Sequence, residues 1–431
     1  MGLGFVENVL FWELFFFIAV NAIWVAIYFR FRQRDKVNRE LKGEPLVSVI
    51  IPVYNKAAYV KETIKSALNL NYGNKEVIVV NDGSSDGGDA ICGEFHRSGA
   101  VEFINFKQNQ GKSNALNAGI RAAKGDFILT IDADSIIERD AVKKMIRHFG
   151  DPNLGAVAGV VKVKNNKGVL PRLQFVEYFQ QSFQRLVQGL FQSVLVLPGP
   201  ISLYRKTAIE KSGFFESATL AEDWDMTLKV HKAGYGVVSE KEATATTYGL
   251  TAVKDWWRQR VRWSRGGVQI AKKHKDIFTT TSNKVLKRFV FPLHIIWIFI
   301  PVFAMPLALM LMIPTPEAVA GFAGSIGEFF SALFGWVFAG IHTTIVGLYS
   351  MLDTAVFNFM DFEKFGLLKI MGVGTILTFL GFTYFSIKAF KNTFTPKNFF
   401  ALMFMPVYWL MLNVVFLYSL ALEVLKRKAV W

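Results

Sequence analysis

Val47–Val53 reads VSVIIPV, a run that is almost entirely apolar and has the pattern of a strand buried on both faces. Residues 57–70 follow with apolar positions at helical spacing, and Lys75–Asn81 (KEVIVVN) has the pattern of a second strand. Phe127–Ile131 (FILTI) has the same pattern further along the chain. Strand, helix and strand in this order predict an α/β domain built on a parallel sheet with helices on both sides.

Acidic residues directly follow two of these strands. Lys75–Asn81 runs into Asp82-Gly-Ser-Ser-Asp86, and FILTI runs into Asp132-Ala-Asp134. Because ligands of such sheets lie beyond the carboxyl ends of the strands, both clusters are expected at one rim. Asp132 and Asp134 stand at alternate positions and can face one ligand, and their oxygens suit Mg²⁺ or Mn²⁺ bound with a diphosphate. A solvated turn or a helix cap is the alternative interpretation.

A basic and aromatic segment, Trp256–Gly267 (WWRQRVRWSRGG), is typical of a helix at a membrane surface or on a polyanion. The net charge of +15 raises the question of nucleic acid. The segment lies between the α/β region and a strongly apolar region, however, so a helix on membrane lipids is favoured and no nucleic acid partner is expected.

The distribution of charge excludes a wholly soluble protein. The chain is 52% apolar, and residues 289–431 contain only 14 charged side chains, far below the roughly 25% typical of soluble domains. Val9–Phe29 has the length of one membrane crossing and is followed at once by Arg30 and Arg32. By the positive-inside rule, the domain that follows lies in the cytoplasm of a multi-pass protein of the cell membrane.

Three apolar stretches predict three further crossings: Phe289–Ile313, Gly366–Ile387 and Phe399–Leu422. The intervening Ala318–Leu352 is interrupted by glycines and has acidic flanks, which favours a re-entrant or external segment, although a fourth crossing stays open. The predicted organisation is therefore, in chain order, an anchor in residues 1–30, a cytoplasmic domain in 45–250, amphipathic interfacial helices in 251–288 and a transmembrane region in 289–431.

Five segments in order resemble the processive membrane glycosyltransferases of family 2, which include hyaluronan, chitin, cellulose and poly-N-acetylglucosamine synthases. They are Pro52-Val-Tyr-Asn, Asn81-Asp-Gly-Ser-Ser-Asp, Asp132-Ala-Asp, Ala221-Glu-Asp and Gln259-Arg-Val-Arg-Trp. The resemblance implies a GT-A fold, Rossmann-like with a mostly parallel sheet. It also implies inverting transfer from a UDP-sugar, foremost UDP-N-acetylglucosamine, onto a growing β-linked polysaccharide, with Mg²⁺ or Mn²⁺ as cofactor.

The resemblance also assigns residues to the nucleotide-sugar. Tyr54 would stack on the uracil, Asp82 would bind the base or ribose, and Asp134 would hold the metal. The remaining residues on this side would contact the nucleotide, the ribose or the diphosphate: Lys112, Asp132, Gln259 and Arg262.

On the acceptor side, the resemblance implies that Asp223 is the general base and that Trp263 lies at the acceptor sugar. Glu222 and the loop Pro198-Gly199-Pro200 would line the acceptor site. Residue spacing alone does not choose among the carboxylates of this segment: Glu222 and Asp225 share a helix face, while Asp223 points about 100° away. Alanine at position 221 departs from the threonine that often precedes the Glu-Asp pair.

Other functions stay open at this point. A monoglycosyltransferase that acts on a lipid-linked acceptor would carry a similar segment, and a non-catalytic transport or accessory subunit could keep the fold. The few predicted crossings make a channel within one subunit doubtful, which leaves room for a homo-oligomer.

Overall fold

The structure is a computed structural model that describes residues 5–35, 41, 43–164, 167–298, 300, 367–390 and 401–427. The predicted re-entrant segment Ala318–Leu352, most of Phe289–Ile313 and the loops that decide the topology lie outside these residues.

Eight strands form one sheet in the α/β part of the chain. They are β1 (Val47–Val53), β2 (Lys75–Asp82), β3 (Glu102–Phe106), β4 (Phe127–Thr130), β5 (Ser135–Ile137), β6 (Leu154–Val163), β7 (Ser202–Arg205) and β8 (Gly236–Thr247). Ten helices accompany them: α1 (Phe5–Phe31), α2 (Ala57–Leu68), α3 (Gly88–Arg97), α4 (Lys112–Ala122), α5 (Ala141–Ile146), α6 (Val169–Gly189), α7 (Lys206–Ser212), α8 (Glu222–Lys232), α9 (Val253–Lys273) and α10 (Ile277–Thr280). After a helical segment at 284–298 come α11 (Leu367–Ala389) and α12 (Met405–Val424).

The sheet has the strand order β3-β2-β1-β4-β7-β6-β8-β5. The first four strands are parallel, as the sequence predicts. Beyond β4 the sheet is mixed, because β7 pairs antiparallel with both β4 and β6, and β5 pairs antiparallel with β8. Strands β6 and β8 again pair in parallel, so among the described residues the sheet has four parallel and three antiparallel pairings and is more mixed than the sequence predicts. A strand of four residues such as β7 is too short to show a period in the sequence.

Strand β1 is buried on both faces, as its unbroken apolar pattern predicts. Its alternate residues enter two separate clusters: Val49 and Ile51 pack into the larger core, and Ile50 packs into the smaller one. Helix α4 packs on β1 and β2, while α2 packs on β1 and β5. This two-sided packing sets the carboxyl ends of β1, β2 and β4 side by side.

Two helical stretches among the described residues are long and apolar enough to cross a membrane, Leu14–Phe31 in α1 and Val407–Val424 in α12. A shorter apolar stretch, Val373–Ala389, lies in α11. Helix α11 packs against α1 and α6, and α12 packs against α9. The apolar helices thus attach to the α/β part through α6 and α9.

A buried carboxylate connects β8 to the turn after α5. Glu240 is only 4% exposed and accepts hydrogen bonds of 2.8 Å each from Arg147 Nη2 and His148 Nε2. Burial by itself would raise the pKa of Glu240, but the hydrogen bonds from His148 and Arg147 outweigh it and hold the pKa at about 2. Because this pKa is depressed, the carboxylate stabilises the fold above its unfolded pKa of about 4.3.

We expect Glu240→Gln to lower the free energy of unfolding by about 3 kcal/mol at pH 7, since the amide lacks the negative charge that the hydrogen bonds from Arg147 and His148 stabilise in the fold. The wild type should lose the same stabilisation as the pH falls from about 4 towards 2, and the variant should not. Thermal unfolding of the detergent-solubilised protein over a pH series measures both effects. The exposed pair of Glu62 with Lys164 provides the control, because Glu62→Gln should leave the melting temperature unchanged. Equal losses of stability in the Glu240 and Glu62 variants would show that the buried carboxylate contributes no more than an exposed one.

Candidate active site

A cavity of about 710 Å³ opens at the carboxyl ends of β1, β2 and β4 and is closed by α6, α8 and α9. It brings together residues that are far apart in the chain. All thirteen residues that the sequence assigns to the site line it: Tyr54, Asp82, Lys112, Asp132, Asp134, Pro198, Gly199, Pro200, Glu222, Asp223, Gln259, Arg262 and Trp263. The structure thus places them in one site, while their individual roles stay predictions.

Lys112, the first residue of α4, lies at the centre of the charged groups. Its Nζ is 2.7 Å from Asp132 Oδ1 and 2.9 Å from Glu222 Oε1. Burial would lower the pKa of Lys112, but the charges of Asp132, Glu222 and Asp223 together outweigh burial and raise that pKa well above its ordinary value. Lys112 therefore stays charged and forms ion pairs with both Asp132, after β4, and Glu222, at the beginning of α8.

The pKa values of the two adjacent carboxylates of α8, Glu222 and Asp223, are shifted in opposite directions. Burial and the negative charge of Glu222 raise the pKa of Asp223 to about 6. Burial would also raise the pKa of Glu222, but the positive charges of Lys112 and Arg262 outweigh it and lower that pKa. A carboxylate with a pKa near neutrality is well matched to accept a proton, and its neighbour stays ionised.

The third carboxylate of this segment, Asp225, does not line the cavity. It is fully buried, and its Oδ1 lies 2.7 Å from both His274 Nε2 and Lys273 Nζ at the end of α9. Glu222 and Asp223 both reach the cavity because the cavity lies beyond the first turn of α8 and side chains on a helix tilt towards its N-terminus. Residue spacing on the helix therefore does not tell which of the three carboxylates reach the cavity. The packing around α8 determines this.

The predicted metal ligand, Asp134, lies in the cavity with its Oδ2 2.7 Å from Lys56 Nζ. Asp132 and Asp134 thus each face a different lysine. In the described part of the chain, no three Asp, Glu, His or Cys side chains group as a ready-made metal site. A single accessible carboxylate still fits Mg²⁺ or Mn²⁺, because these ions take one or two carboxylates and complete their shell with phosphate oxygens and water.

Backbone amides hold Asp82 at the end of β2. Its two carboxylate oxygens accept hydrogen bonds from Gln110 N at 2.7 Å and Gly111 N at 2.9 Å. The neighbouring Gly83 has φ +69°, and a Cβ there would lie 2.5 Å from the carbonyl carbon of Gln108. These contacts fix the loop that immediately precedes Lys112, so Asp82 positions that lysine as well as lining the cavity.

Helix α9 presents Gln259, Arg262 and Trp263 to the cavity. Arg262 donates through Nη1 to the carbonyl oxygen of Leu220 at 3.3 Å, immediately before α8. The same helix turns Arg260 inwards, and its guanidinium carbon lies 4.2 Å from the centroid of the Trp263 ring. Arg260 is 2% exposed, so this arginine does not belong to the lipid-facing surface that the basic pattern predicts.

Arg260 belongs to a buried cluster that joins three helices. It forms an ion pair with Glu177 of α6, and its Nη2 donates to the Tyr408 hydroxyl of α12 at 3.1 Å. That hydroxyl donates to Glu177 Oε2 at 2.5 Å and accepts from Trp256 Nε1 at 2.9 Å. The cluster therefore connects the helix that carries Trp263 to a helix long and apolar enough to cross a membrane.

Sequence reasoning missed Lys56 and the whole inner face of α6. Lys56 follows the predicted Tyr54 by two residues, so its place beside a motif was a usable signal. The α6 residues at the cavity are polar and recur at helical spacing: Tyr178, Gln181, Gln184, Arg185 and Gln188. A polar stripe on an otherwise apolar helix indicates a solvent-filled or ligand-filled space when the helix is buried.

The model of the glycosyl transferase family 2 matches residues 48–213. The poly-beta-1,6-N-acetyl-D-glucosamine synthase of Staphylococcus epidermidis is 31% identical over 301 residues, which cover 67% of this chain and 73% of that protein. The chain belongs to glycosyl transferase family 2. The synthase of the same name from Staphylococcus aureus strain COL is a second relative of this family 2 enzyme, 30% identical over 304 residues with the same coverage. The predicted family and enzyme class are therefore confirmed.

The fold of this family 2 glycosyltransferase also has a solved counterpart. A mannosyltransferase from Pyrobaculum calidifontis, in complex with GDP-Man and Mn²⁺, matches with a TM-score of 0.57 at 19% identity. The match covers 86% of this chain and 99% of the mannosyltransferase. At this identity the likeness concerns the fold alone, and it identifies the mixed sheet with its helices as GT-A-like.

The predicted acceptor loop packs closely on the ion pair of Lys112 with Asp132, and a substitution at Gly199 tests whether transfer depends on that packing. A Cβ on Gly199 would lie 2.7 Å from Asp132 Oδ2 and 3.1 Å from Lys112 Nζ. Both atoms end flexible side chains, so Gly199→Ala should leave the melting temperature nearly unchanged, while displacement of the ion pair lowers glycosyl transfer roughly 10- to 100-fold. Gly93→Ala on α3 is the matched control, since its Cβ meets only the end of Arg97 at 3.3 Å. Full activity of the Gly199 variant would show that the Lys112–Asp132 contact is dispensable.

Proposed function

We propose that this glycosyltransferase adds N-acetylglucosamine from UDP-N-acetylglucosamine to the end of a growing β-linked polysaccharide, with inversion at the anomeric carbon. The observation that carries the proposal is Asp223, a half-buried carboxylate with a pKa of about 6 in the same cavity as Trp263 and the loop Pro198–Pro200. The relatives named poly-beta-1,6-N-acetyl-D-glucosamine synthases support the choice of sugar and of a polymeric product.

In the proposed reaction, an acceptor hydroxyl oxygen attacks the anomeric carbon from the face opposite the diphosphate. The bond from that carbon to the diphosphate oxygen breaks, and UDP departs with the electron pair. Asp223 takes the proton of the attacking hydroxyl. Glu222, kept ionised by Lys112, maintains the raised pKa of Asp223. The face of the Trp263 ring supports the apolar side of the acceptor sugar.

The donor would occupy the other end of the cavity. Tyr54, which is 48% exposed, offers its ring to the uracil, and Arg262 is available to the diphosphate. Asp134 would hold Mg²⁺ or Mn²⁺, which when bound offsets the charge of the departing diphosphate. Lys56 must release Asp134 for this, and its ammonium can then pair with a phosphate oxygen.

We further propose a multi-pass protein of the cell membrane with the catalytic domain in the cytoplasm. The apolar helices attach to α6 and α9, which both line the cavity, so a nascent chain that leaves the site passes close to the membrane. Coupling of synthesis to export, contacts with membrane lipids and assembly into a homo-oligomer are part of this proposal.

The deciding experiment incubates the full chain, purified in detergent, with Mn²⁺ and a panel of UDP-sugars and GDP-mannose. UDP release with UDP-N-acetylglucosamine, together with a ladder of oligosaccharides, is the expected result. A single lipid-linked sugar would instead establish a monoglycosyltransferase. Absence of nucleotide release with every donor would indicate an accessory subunit and overturn the proposal.

We expect Asp223→Asn to lower transfer by a factor on the order of 10² to 10⁴ while UDP binding is kept, because the amide keeps the shape but accepts no proton. The melting temperature should stay the same or rise at pH 7, since a raised carboxyl pKa means that the charged form destabilises the folded state. In the wild type, the rate should fall as the pH decreases through about 6, where Asp223 becomes protonated.

Asp225→Asn is the comparison for that measurement. Asp225 binds His274 and Lys273 away from the cavity, so its variant should lose stability rather than show the same pH dependence of transfer. If Asp225→Asn abolished transfer in a stable protein and Asp223→Asn did not, Asp223 would not be the base.

We expect Asp134→Ala to abolish transfer at millimolar Mn²⁺ and to weaken Mn²⁺ binding to the UDP-loaded protein at least tenfold, as measured by electron paramagnetic resonance. The reason is that one carboxylate would supply the protein's share of the metal shell. Asp126→Ala, an exposed position before β4, should leave both quantities unchanged. Full turnover of the wild type in excess chelator would exclude the role of the metal.

A further inference from the structure

The inner face of α6 forms a second compartment of the cavity, distinct in character from the cluster around Lys112. Gln181, Gln184 and Gln188 present uncharged amides to it, and Arg185 is the cation among them. No motif of the sequence covers these residues, and no step of the proposed chemistry uses them.

Arg185 is a buried guanidinium with incomplete hydrogen bonding. It is 9% exposed, its Nη2 donates to Ser182 Oγ at 3.0 Å, and its Nε has no hydrogen-bond partner among the residues that the structure describes. Burial lowers the pKa of Arg185 to about 10, so the group still carries its charge at neutral pH. A buried donor without an acceptor costs about 1 to 3 kcal/mol, and more when charged, so such a group requires an explanation, and a bound water, ion or ligand is one.

Two other unpartnered donors or acceptors line the same cavity. Trp224 Nε1 and His294 Nε2 are buried without a partner in the described part of the chain, and their ring centroids lie 4.4 Å apart. Trp224 comes from α8, beside Asp223, and His294 comes from the helical segment 284–298. Three different elements thus leave polar atoms unsatisfied around one space.

We propose that this compartment, defined by the α6 face with Trp224 and His294, binds the carbohydrate of the acceptor, and that Arg185 donates to a hydroxyl or acetamido oxygen of it. This inference rests on the proposed function and adds the residue that holds the acceptor. A neutral sugar with many hydroxyls fits three amides, an indole N–H and one cation. An anionic ligand at the α6 face fits less well, because Asp223, the residue before Trp224, would repel it, whereas Lys56 and Lys112 lie at the other end of the cavity.

The test compares Arg185→Gln and Arg185→Lys with the wild type, using UDP-N-acetylglucosamine, Mn²⁺ and a β-1,6-linked N-acetylglucosamine trisaccharide as the acceptor probe. Removing a charge-assisted hydrogen bond should raise the KM for the trisaccharide about tenfold in the glutamine variant. The KM for the donor and the acceptor-free release of UDP should stay within about twofold. The lysine variant should recover part of the loss. Arg121→Gln, an exposed arginine on α4, controls for the change in charge.

Other outcomes overturn the inference. An unchanged KM for the trisaccharide, with a lower kcat and a shifted pH profile, would make Arg185 an electrostatic partner of Asp223. A change seen only with a phospholipid-linked acceptor would assign Arg185 to a lipid phosphate. If Arg185→Gln does not fold, Ser182→Ala serves instead: it removes only the side-chain partner of the guanidinium and should alter the KM for the trisaccharide and not that for the donor.

A binding measurement separates this inference from the proposed function. Tryptophan fluorescence of the UDP-loaded protein, titrated with the trisaccharide, requires no turnover. Weaker binding by Arg185→Gln supports the inference even if the wild type releases no UDP. Equal binding by the variant and the wild type refutes it even if the wild type is fully active.

Discussion

The ammonium of Lys112, held between Asp132 and Glu222, is the contact on which the active-site arrangement depends. Three carboxylates, the buried Glu222 and the half-buried Asp132 and Asp223, converge at one wall of the cavity, where they repel one another. Lys112 offsets that repulsion and joins the beginning of α4, the end of β4 and the beginning of α8. The close approach of Gly199 and the backbone hydrogen bonds of Asp82 both support this lysine. A weakened Lys112 contact would therefore disturb several functional groups at once.

A second buried ion cluster ties this chemistry to the apolar helices. Arg260 pairs with Glu177, contacts the Tyr408 hydroxyl and lies against the Trp263 ring, so α6, α9 and α12 meet at one set of hydrogen bonds. Removing one charged partner of such a cluster would leave an uncompensated buried charge and destabilise the contact between these helices. The Trp263 ring, which we propose supports the acceptor, is therefore held in place through contacts that lead to α12, a helix long and apolar enough to cross a membrane.

The two ends of the cavity differ in a way that suits two ligands of different charge. The end at the sheet carries lysines and carboxylates that are paired with one another, and it is there that we propose the nucleotide diphosphate and its cation bind. The end at α6 carries amides, an arginine and two ring nitrogens, several of which have no partner in the described residues. Polar atoms left unsatisfied in a packed interior are costly, and three of them belong to residues at this end, which is why we propose that an uncharged ligand binds there.

The sequence by itself determined the strands β1, β2 and β4, because continuous apolar runs predict strands that are buried on both faces. The resemblance to the family supplied the thirteen candidate site residues, and the structure brings them into one cavity. The sequence also determined the family, since five weak motifs in order are specific together. Residue spacing did not separate Asp223 from Asp225, whereas the tertiary structure places Asp223 at the cavity and Asp225 against His274. Only the tertiary structure, likewise, turned Arg260 inwards and set Arg185 beside the site. Composition gives a helix its charges, whereas the direction in which each charge is buried is fixed by the helices that pack around it.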